Sequence, residues 1–311
     1  MSTKPILIVP GQSKSIFFEI LFKSLKSNKY KSPLILVCNF KEFRTQMRRF
    51  DFNRKIEILD LKMILKKKLS NKIIYVIDVK IRDSKIYIEN CFQIAFKLIK
   101  EGLTHKFING PINKTKVLNK KYLGVTEYIG KKFNTKKIGM LIYNKKLSVS
   151  PLTTHLPLKL VAKQISRKLI IEKIKTIDSF YKKNFGFKPS LGIAGLNPHC
   201  ESILKYNEDK KIISPTIKFL KQKKFRVYGP FSADTIFLKK NRVKFDVILG
   251  MYHDQVLTPM KTLFEYDAIN ITMGLPFLRV SPDHGPNEKM FKKNMSNPDS
   301  LINSLKFLDS K

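Results

Sequence analysis

Three of the five histidines in the chain follow extended, mostly apolar stretches in the same way. They are His155 after residues 147–154, His199 after 191–198 and His253 after 247–252. In an open α/β sheet, ligand sites collect beyond the carboxyl ends of the strands. Three neutral imidazoles bind a divalent transition metal and leave a position for a substrate oxygen, which the metal polarises as a Lewis acid. The pattern predicts a metal site, although any one of these histidines could instead be an ordinary surface residue.

Hydrogen-bond donors that suit a small phosphorylated or carboxylated substrate follow the last of these histidines. They are Lys261, Asn270 and Arg279. Arg279 is the most informative, because arginine is scarce in this chain and this one lies in the apolar segment 271–280. Instead of binding a substrate, Arg279 could form a structural ion pair with Asp283 or Glu265.

The elements that must position these residues alternate along the chain between apolar runs and amphipathic stretches. Helical spacing of apolar residues marks 86–99 and 170–181. The runs that predict buried strands are Ile6–Val9, 34–37, 73–77, 140–143, Leu191–Ala194 and 247–249. This alternation predicts an α/β fold with a mostly parallel sheet. The segments 110–126 and 274–286 are the candidate hinges.

The composition is that of a globular protein with a strong excess of positive charge. The 311 residues are 43% hydrophobic and 27% charged, and the formal net charge is +37. Such a charge favours weak, salt-sensitive adhesion to polyanions. The lysines are scattered through every segment instead of forming one stripe, so we expect no specific nucleic-acid partner.

The three cysteines form no C-x-x-C pair, which argues against a disulfide framework or a zinc ribbon and favours the cytoplasm. The N-terminal apolar stretch is too short for a signal peptide, and no segment is apolar enough for a membrane span. Neither G-x-G-x-x-G nor the P-loop motif occurs, which disfavours a Rossmann-type or P-loop site. The loop 10–15 could present backbone N–H groups to a phosphate, but it contains one glycine only.

Several motifs together resemble those of the 4-hydroxythreonine-4-phosphate dehydrogenase family. In chain order they are NGPINK (109–114), TTHLPL (153–158), GLNPH (195–199), GPFSADT (229–235), MYHDQ (251–255), NITMGLPF (270–277) and DHG (283–285). They cover most of the chain.

The resemblance implies a role for each matching residue. The family's divalent-metal ligands match His155, His199 and His253, and the family shares this site between the two subunits of a homodimer. Its substrate-binding positions match Thr126, Lys261, Asn270 and Arg279. The implied fold is the two-lobed one of isocitrate and isopropylmalate dehydrogenases, with the active site in the interlobe cleft. We expect residues 1–125 and 277–311 to form one lobe and residues 126–276 the central lobe with the histidines.

The implied reaction is the NAD- or NADP-dependent oxidation of 4-phosphooxy-L-threonine to 2-amino-3-oxo-4-phosphooxybutanoate. That product decarboxylates to 3-amino-2-oxopropyl phosphate in pyridoxine and pyridoxal 5'-phosphate biosynthesis. The implied cofactors are the nicotinamide and one divalent metal per subunit, with zinc, magnesium, cobalt and manganese as candidates. Lys261, Asp254 or a metal-bound water could take the hydroxyl proton. No residue is assigned to the nicotinamide.

The chain also departs from the family pattern. Val125 replaces a substrate-contacting histidine, Val256 and Pro286 replace a glycine and a threonine, and Cys200–Leu204 replaces a glycine-containing turn. The loop 12–18 loses glycines and prolines, and we expect Phe17 and Phe18 to narrow whatever it lines. Two alternatives to the family reaction follow. One is a paralogue that oxidises a threonate or erythronate phosphate, and the other is a non-catalytic basic protein that binds RNA or a partner.

Overall fold

The computed structural model describes residues 3–112, 122, 124–135, 137–201, 207–283 and 285–311. Asn113, Lys114 and His284, which belong to the motifs above, lie outside the described residues, as do the departures at 202–204. The chain divides into two compact units. Unit 1 comprises Met1–Tyr128 and Pro276–Lys311, and unit 2 comprises Ile129–Leu275.

Unit 1 is built on a parallel sheet whose strands are short and mostly buried. Its described strands are β1 (Ile6–Val9), β2 (Leu34–Cys38), β3 (Ile56–Ile58), β4 (Ile74–Asp78), β5 (Lys106–Asn109) and β12 (Leu278–Pro282). They are ordered β3-β4-β2-β1-β5-β12, and every neighbouring pair is parallel. Parallel strands need crossover connections, which the helices of this unit supply.

The helices that pack on this sheet are α1 (Phe17–Ser27), α2 (Phe40–Arg49), α3 (Ser84–Lys100) and α11 (Asp299–Asp309). The first segment of unit 1 ends at Tyr128, within helix α4 (Val125–Lys132). Local sequence explains where several begin. The side chain of Asn39 accepts the Glu42 N–H at the start of α2, and that of Asp83 accepts N–H groups at the start of α3. Such caps satisfy donors that a helix leaves open.

Phe17 and Phe18, which we expect to narrow the loop before them, lie at the start of α1. Both side chains are buried in the core of unit 1, where Phe18 packs against Phe22 and Phe43. The Phe17 ring lies against the backbone that follows β5, because a Cβ on Gly110 would be 2.6 Å from Cδ2 of Phe17. Gly110 also lies close to the loop before them, because its Cβ would be 2.0 Å from the carbonyl oxygen of Pro10.

A half-buried carboxyl group gives unit 1 a testable pH dependence. Burial raises the pKa of Glu42 from about 4.5 to about 7. Because the folded-state pKa is the higher one, proton binding stabilises the fold fully below pH 4.5, and this stabilisation is lost as the pH rises through 7. We therefore compare the Tm of Glu42→Gln with that of wild type at two pH values. We expect the difference, variant minus wild type, to be about 3 °C larger at pH 8 than at pH 5. Thermal unfolding followed by circular dichroism measures this.

The control is Glu101→Gln, which changes an exposed carboxylate at the end of α3. Its Tm difference from wild type should stay constant over the same pH range. Equal pH dependence in wild type and Glu42→Gln would contradict the assignment.

Unit 2 has a mixed sheet. Its described strands are β6 (Gly139–Asn144), β7 (Leu147–Pro151), β8 (Leu191–Ala194), β9 (Val227–Phe231), β10 (Val247–Gly250) and β11 (Ile269–Met273). Their order is β11-β6-β7-β10-β8-β9. The pairs β11–β6 and β6–β7 are antiparallel, whereas β7–β10, β10–β8 and β8–β9 are parallel. The parallel part therefore holds four neighbouring strands whose carboxyl ends meet at one edge.

Helices and short turns connect these strands. The helices of unit 2 are α5 (Leu158–Gln164), α6 (Arg167–Phe185), α7 (Ser214–Gln222), α8 (Ala233–Ile236), α9 (Lys239–Arg242) and α10 (His253–Phe264). A 3-10 turn covers Pro198–Cys200, and a π-helical turn covers Asp209–Ile213. Helix α6 begins at a Ser166 cap and ends at Gly186, whose φ of +79° favours glycine.

The predicted α/β class with a mostly parallel sheet is confirmed. The predicted strands Ile6–Val9 and Leu191–Ala194 coincide with β1 and β8, and the two predicted helices lie within α3 and α6. Within the part of the chain that the structure describes, no helix is both long and apolar enough to cross a membrane.

Candidate active site

The three histidines singled out above follow three neighbouring parallel strands of unit 2. His155 lies in the loop after β7, His199 in the turn after β8, and His253 begins α10 directly after β10. Strand β10 pairs with both β7 and β8. The carboxyl ends of parallel neighbours meet at one edge of the sheet, so the fold brings the three loops to the same edge.

Two of the three imidazoles are close together. The ring centroids of His155 and His253 are 5.9 Å apart. The Nδ1 atom of His253 is 2.6 Å from Oδ1 of Asp254. With the carboxylate ionised, Nδ1 carries the proton and donates it, which leaves the Nε2 lone pair of His253 for a ligand.

This pair fits a metal ion in its donor chemistry and spacing. Bond lengths of about 2.0–2.1 Å place two imidazole centroids on one ion roughly 5 Å apart. The observed separation is within about 1 Å of that value. A carboxylate that holds the second ring nitrogen is also a common companion of metal-binding histidine.

The backbone at His199 has an unusual conformation. His199 and Cys200 have φ values of +54° and +59°, so two consecutive non-glycine residues are left-handed. Each such residue costs about 1–2 kcal/mol, and this kind of strain is concentrated at functional sites. His199 itself is exposed.

His199 does not complete a three-histidine cluster within one chain. Among residues 3–112, 122, 124–135, 137–201, 207–283 and 285–311, no three His, Cys, Asp or Glu side chains are grouped so that they could hold a metal ion. The structure brings His155 and His253 together, and the three-histidine site stays a prediction.

The predicted anion-binding arginine is buried in unit 1. Arg279, on β12, is 3% exposed, and its Nε donates to Oδ1 of Asn109 at 2.7 Å. Its Nη1 donates to Oγ1 of Thr126 at 3.5 Å. Burial lowers the pKa of Arg279 to about 10, and the charge of Glu127 partly offsets that effect. Arg279 therefore stays charged at neutral pH, and the carboxylate that acts on it is Glu127.

Two oxygen atoms near these predicted positions are buried without a hydrogen-bond partner in the described part of the chain. They are Oε2 of Glu127, in unit 1, and Oδ1 of Asn270, on β11 in unit 2. A buried acceptor without a donor costs about 1–3 kcal/mol, so each such atom requires an explanation. Each of these oxygens can accept a hydrogen bond from a bound N–H or O–H group.

The remaining predicted residues lie on or next to α10. Lys261 is on this helix, two turns after His253, and is partly buried. The Asp254 side chain is 80% exposed and contacts the His253 ring. Val256, which replaces a family glycine, lies in a hydrophobic core cluster of unit 2, so this departure has a packing role.

Sequence reasoning did not assign site roles to Asn109 and Glu127. Asn109 begins the motif 109–114 and is the last residue of β5, and Glu127 follows the predicted substrate contact Thr126. A polar residue at the carboxyl end of a buried strand was the signal that could have identified Asn109.

Comparisons with solved structures define the class of protein. A β-decarboxylating dehydrogenase from Thermococcus kodakarensis superposes with a TM-score of 0.54 at 10% identity, covering 97% of this chain and 82% of that one. This likeness shows the fold alone. A 4-hydroxythreonine-4-phosphate dehydrogenase from Klebsiella pneumoniae superposes with a TM-score of 0.84 at 27% identity, covering 98% and 97%. The fold is thus that of the α/β dehydrogenases with a large, mostly parallel sheet.

Sequence comparisons define the family. The family described as pyridoxal phosphate biosynthetic protein PdxA matches residues 17–308. A 4-hydroxythreonine-4-phosphate dehydrogenase from Sulfurihydrogenibium sp. is 34% identical over 316 residues, covering 96% of each chain. A D-threonate 4-phosphate dehydrogenase from Pectobacterium atrosepticum is 30% identical, covering 97% of this chain and 98% of the relative. The chain belongs to the PdxA family.

Proposed function

We propose that the chain oxidises the secondary C3 hydroxyl of 4-phosphooxy-L-threonine to a ketone, with NAD or NADP as the hydride acceptor. The product, 2-amino-3-oxo-4-phosphooxybutanoate, loses CO2 to give 3-amino-2-oxopropyl phosphate in pyridoxine and pyridoxal 5'-phosphate biosynthesis. The observation that carries the proposal is the 34% identity, over 96% of both chains, to a relative named for this activity.

The buried arginine supports an anionic substrate. Arg279 is oriented by Asn109 and Thr126 and stays charged at neutral pH, so its guanidinium can bind a phosphate or carboxylate. Asn270 and Lys261 are the proposed further substrate contacts. The unpartnered Oδ1 of Asn270 can accept a hydrogen bond from the substrate.

The histidines are the proposed holders of the metal. His155, His199 and His253 would bind one divalent ion per subunit, such as zinc, magnesium or cobalt, at a site shared in a homodimer. When bound, the ion supplies Lewis acidity to a substrate oxygen. Asp254 orients His253 through its contact with Nδ1. The proposed acceptors of the hydroxyl proton are Lys261, Asp254 and a metal-bound water. The proposed location is the cytoplasm.

A substrate panel tests the proposal. NADH formation is measured by absorbance with 4-phosphooxy-L-threonine, D-threonate 4-phosphate and D-erythronate 4-phosphate, each with NAD and Co²⁺. We expect kcat/KM to be highest for 4-phosphooxy-L-threonine. No turnover of that compound under these conditions would overturn the proposal.

The second candidate is oxidation of a threonate or erythronate phosphate. Two observations favour it: the 30% identity to a D-threonate 4-phosphate dehydrogenase and the presence of Val125 where the family has a substrate-contacting histidine. The panel separates the two candidates. The second candidate requires the highest kcat/KM for D-threonate 4-phosphate or D-erythronate 4-phosphate, which lack the amino group of 4-phosphooxy-L-threonine.

A further inference from the structure

The side chain of Gln255 connects two of the loops that carry histidines. Its Oε1 accepts the N–H of Met251 at 2.7 Å, and its Nε2 donates to the carbonyl oxygen of Gly195 at 2.8 Å. Met251 lies in the segment between β10 and His253, and Gly195 begins the segment between β8 and His199. One amide group therefore joins both segments.

The Gln255 side chain lies just beyond the last paired residues of β8 and β10. The parallel pairing of β8 with β10 extends to Ile193 and Leu249. Beyond that register, the Gly195 carbonyl and the Met251 N–H bond to the Gln255 side chain. A carboxamide has the same donor and acceptor as a peptide group, so it continues the hydrogen bonding of the sheet past the last paired residues.

Two glycines make room for this arrangement. A Cβ on Gly250 would lie 2.9 Å from Oε1 of Gln255 and 2.4 Å from a methyl carbon of Val256. A Cβ on Gly195 would lie 2.7 Å from Oδ1 of Asp209. Close packing at both positions thus holds Gln255 and Asp209 against the backbone of the two loops.

The loop of His199 is fixed at a second point by Asp209, which is fully buried. Its Oδ1 accepts the N–H of Leu196 at 2.8 Å, and its Oδ2 accepts the N–H of Asn197 at 3.0 Å. The segment from Gly195 to Asn197 is therefore held rigidly, so the strained turn at His199 begins from a fixed position.

The loop of His155 is joined to the same residue that Gln255 contacts, Met251, through its carbonyl oxygen. The hydroxyl of Thr153 donates to the Met251 carbonyl oxygen at 2.8 Å, and the Thr153 N–H bonds to the same oxygen at 3.2 Å. Met251 thus connects the loops of His155 and His253, and Gln255 connects Met251 to the loop of His199.

We infer that Gln255 is a positioning residue that sets His199 relative to the pair His155 and His253, and so determines the affinity for a divalent ion. The inference rests on the proposed role of these histidines in metal binding. Residues that orient metal ligands typically change affinity about 10–100-fold when they are replaced. Gln255 fixes the loops of His199 and His253 within one chain, and each loop would carry its histidine to the ion in that fixed position.

Two replacements of Gln255 separate its contacts. Gln255→Met removes both hydrogen bonds at similar size. Gln255→Glu keeps an acceptor for the Met251 N–H but cannot donate to the Gly195 carbonyl when ionised. The matched controls are Gln164→Met and Gln164→Glu, which change an exposed glutamine at the end of α5.

The measurement is calorimetric titration of metal-free protein with Co²⁺, together with amide hydrogen exchange of residues 195–201 and of Met251. We expect the Kd for Co²⁺ to rise about 10–100-fold in both Gln255 variants and to stay unchanged in the controls. Exchange should accelerate at 195–201 while the Tm stays close to that of wild type, which distinguishes positioning from global destabilisation.

Other outcomes decide between this inference and the proposed function. Unchanged Co²⁺ affinity in both Gln255 variants would overturn the positioning role alone. Weakened Co²⁺ binding in a protein that does not oxidise 4-phosphooxy-L-threonine would support the positioning role and overturn the proposed reaction. Absence of Co²⁺ binding in wild type would overturn both.

Discussion

His253→Ala should lower kcat/KM for 4-phosphooxy-L-threonine by about 10³-fold or more in the presence of Co²⁺. His253 is one of the two close imidazoles, its second nitrogen is held by Asp254, and it begins α10 directly after β10. A Lewis acid stabilises the reacting oxygen by several kcal/mol, which corresponds to this loss of rate. NADH formation at saturating NAD, measured beside the Kd for Co²⁺, provides the check.

The control is His105→Ala, which removes an exposed histidine in unit 1. It should leave both turnover and Co²⁺ affinity unchanged. If His253→Ala retained near wild-type turnover, His253 would have no part in the reaction.

Arg279→Lys should raise KM for the phosphorylated substrate and lower kcat/KM by about 10²-fold. Hydrogen bonds to charged groups are worth about 1.5–3 kcal/mol each, and lysine cannot reproduce the planar fork that contacts Asn109 while it binds an anion. Arg279→Met should lower kcat/KM further, because it removes the charge as well. Steady-state kinetics with varied substrate separates KM from kcat.

Arg226→Lys, which changes an exposed arginine in unit 2, is the control and should not alter KM. A KM unchanged in both Arg279 variants would show that the buried guanidinium has a structural role only.

The sequence predicted strands that are unbroken apolar runs. It missed β5 and β12, which are equally buried but include charged or polar residues, and strands that depend on their partners. Buried runs such as Ile6–Val9 are visible because every residue is apolar. Strand β3 is partly exposed, and its three residues become a strand through pairing with β4. The antiparallel position of β11 beside β6 depends on a contact more than one hundred residues away along the chain.

The sequence likewise predicted some residues of the candidate site and missed the contacts between them. Strand-end position and residue type suggested His155 and His253, which the fold brings together. The contacts of Arg279 with Asn109, and of Gln255 with Gly195, join residues that are distant in sequence. Nothing in the local pattern around Asn109 or Gln255 indicates such a partner, because side-chain contacts of this kind are set by tertiary packing.

Strand β10 lies between β7 and β8 and is paired with both. A β-strand advances about 3.3 Å per residue, and a shift of one residue turns its side chains to the opposite face. One inserted or deleted residue between Val247 and His253 would therefore alter the relation of His253 to both neighbouring loops at once. The length of this short segment therefore fixes the place of His253 beside both loops.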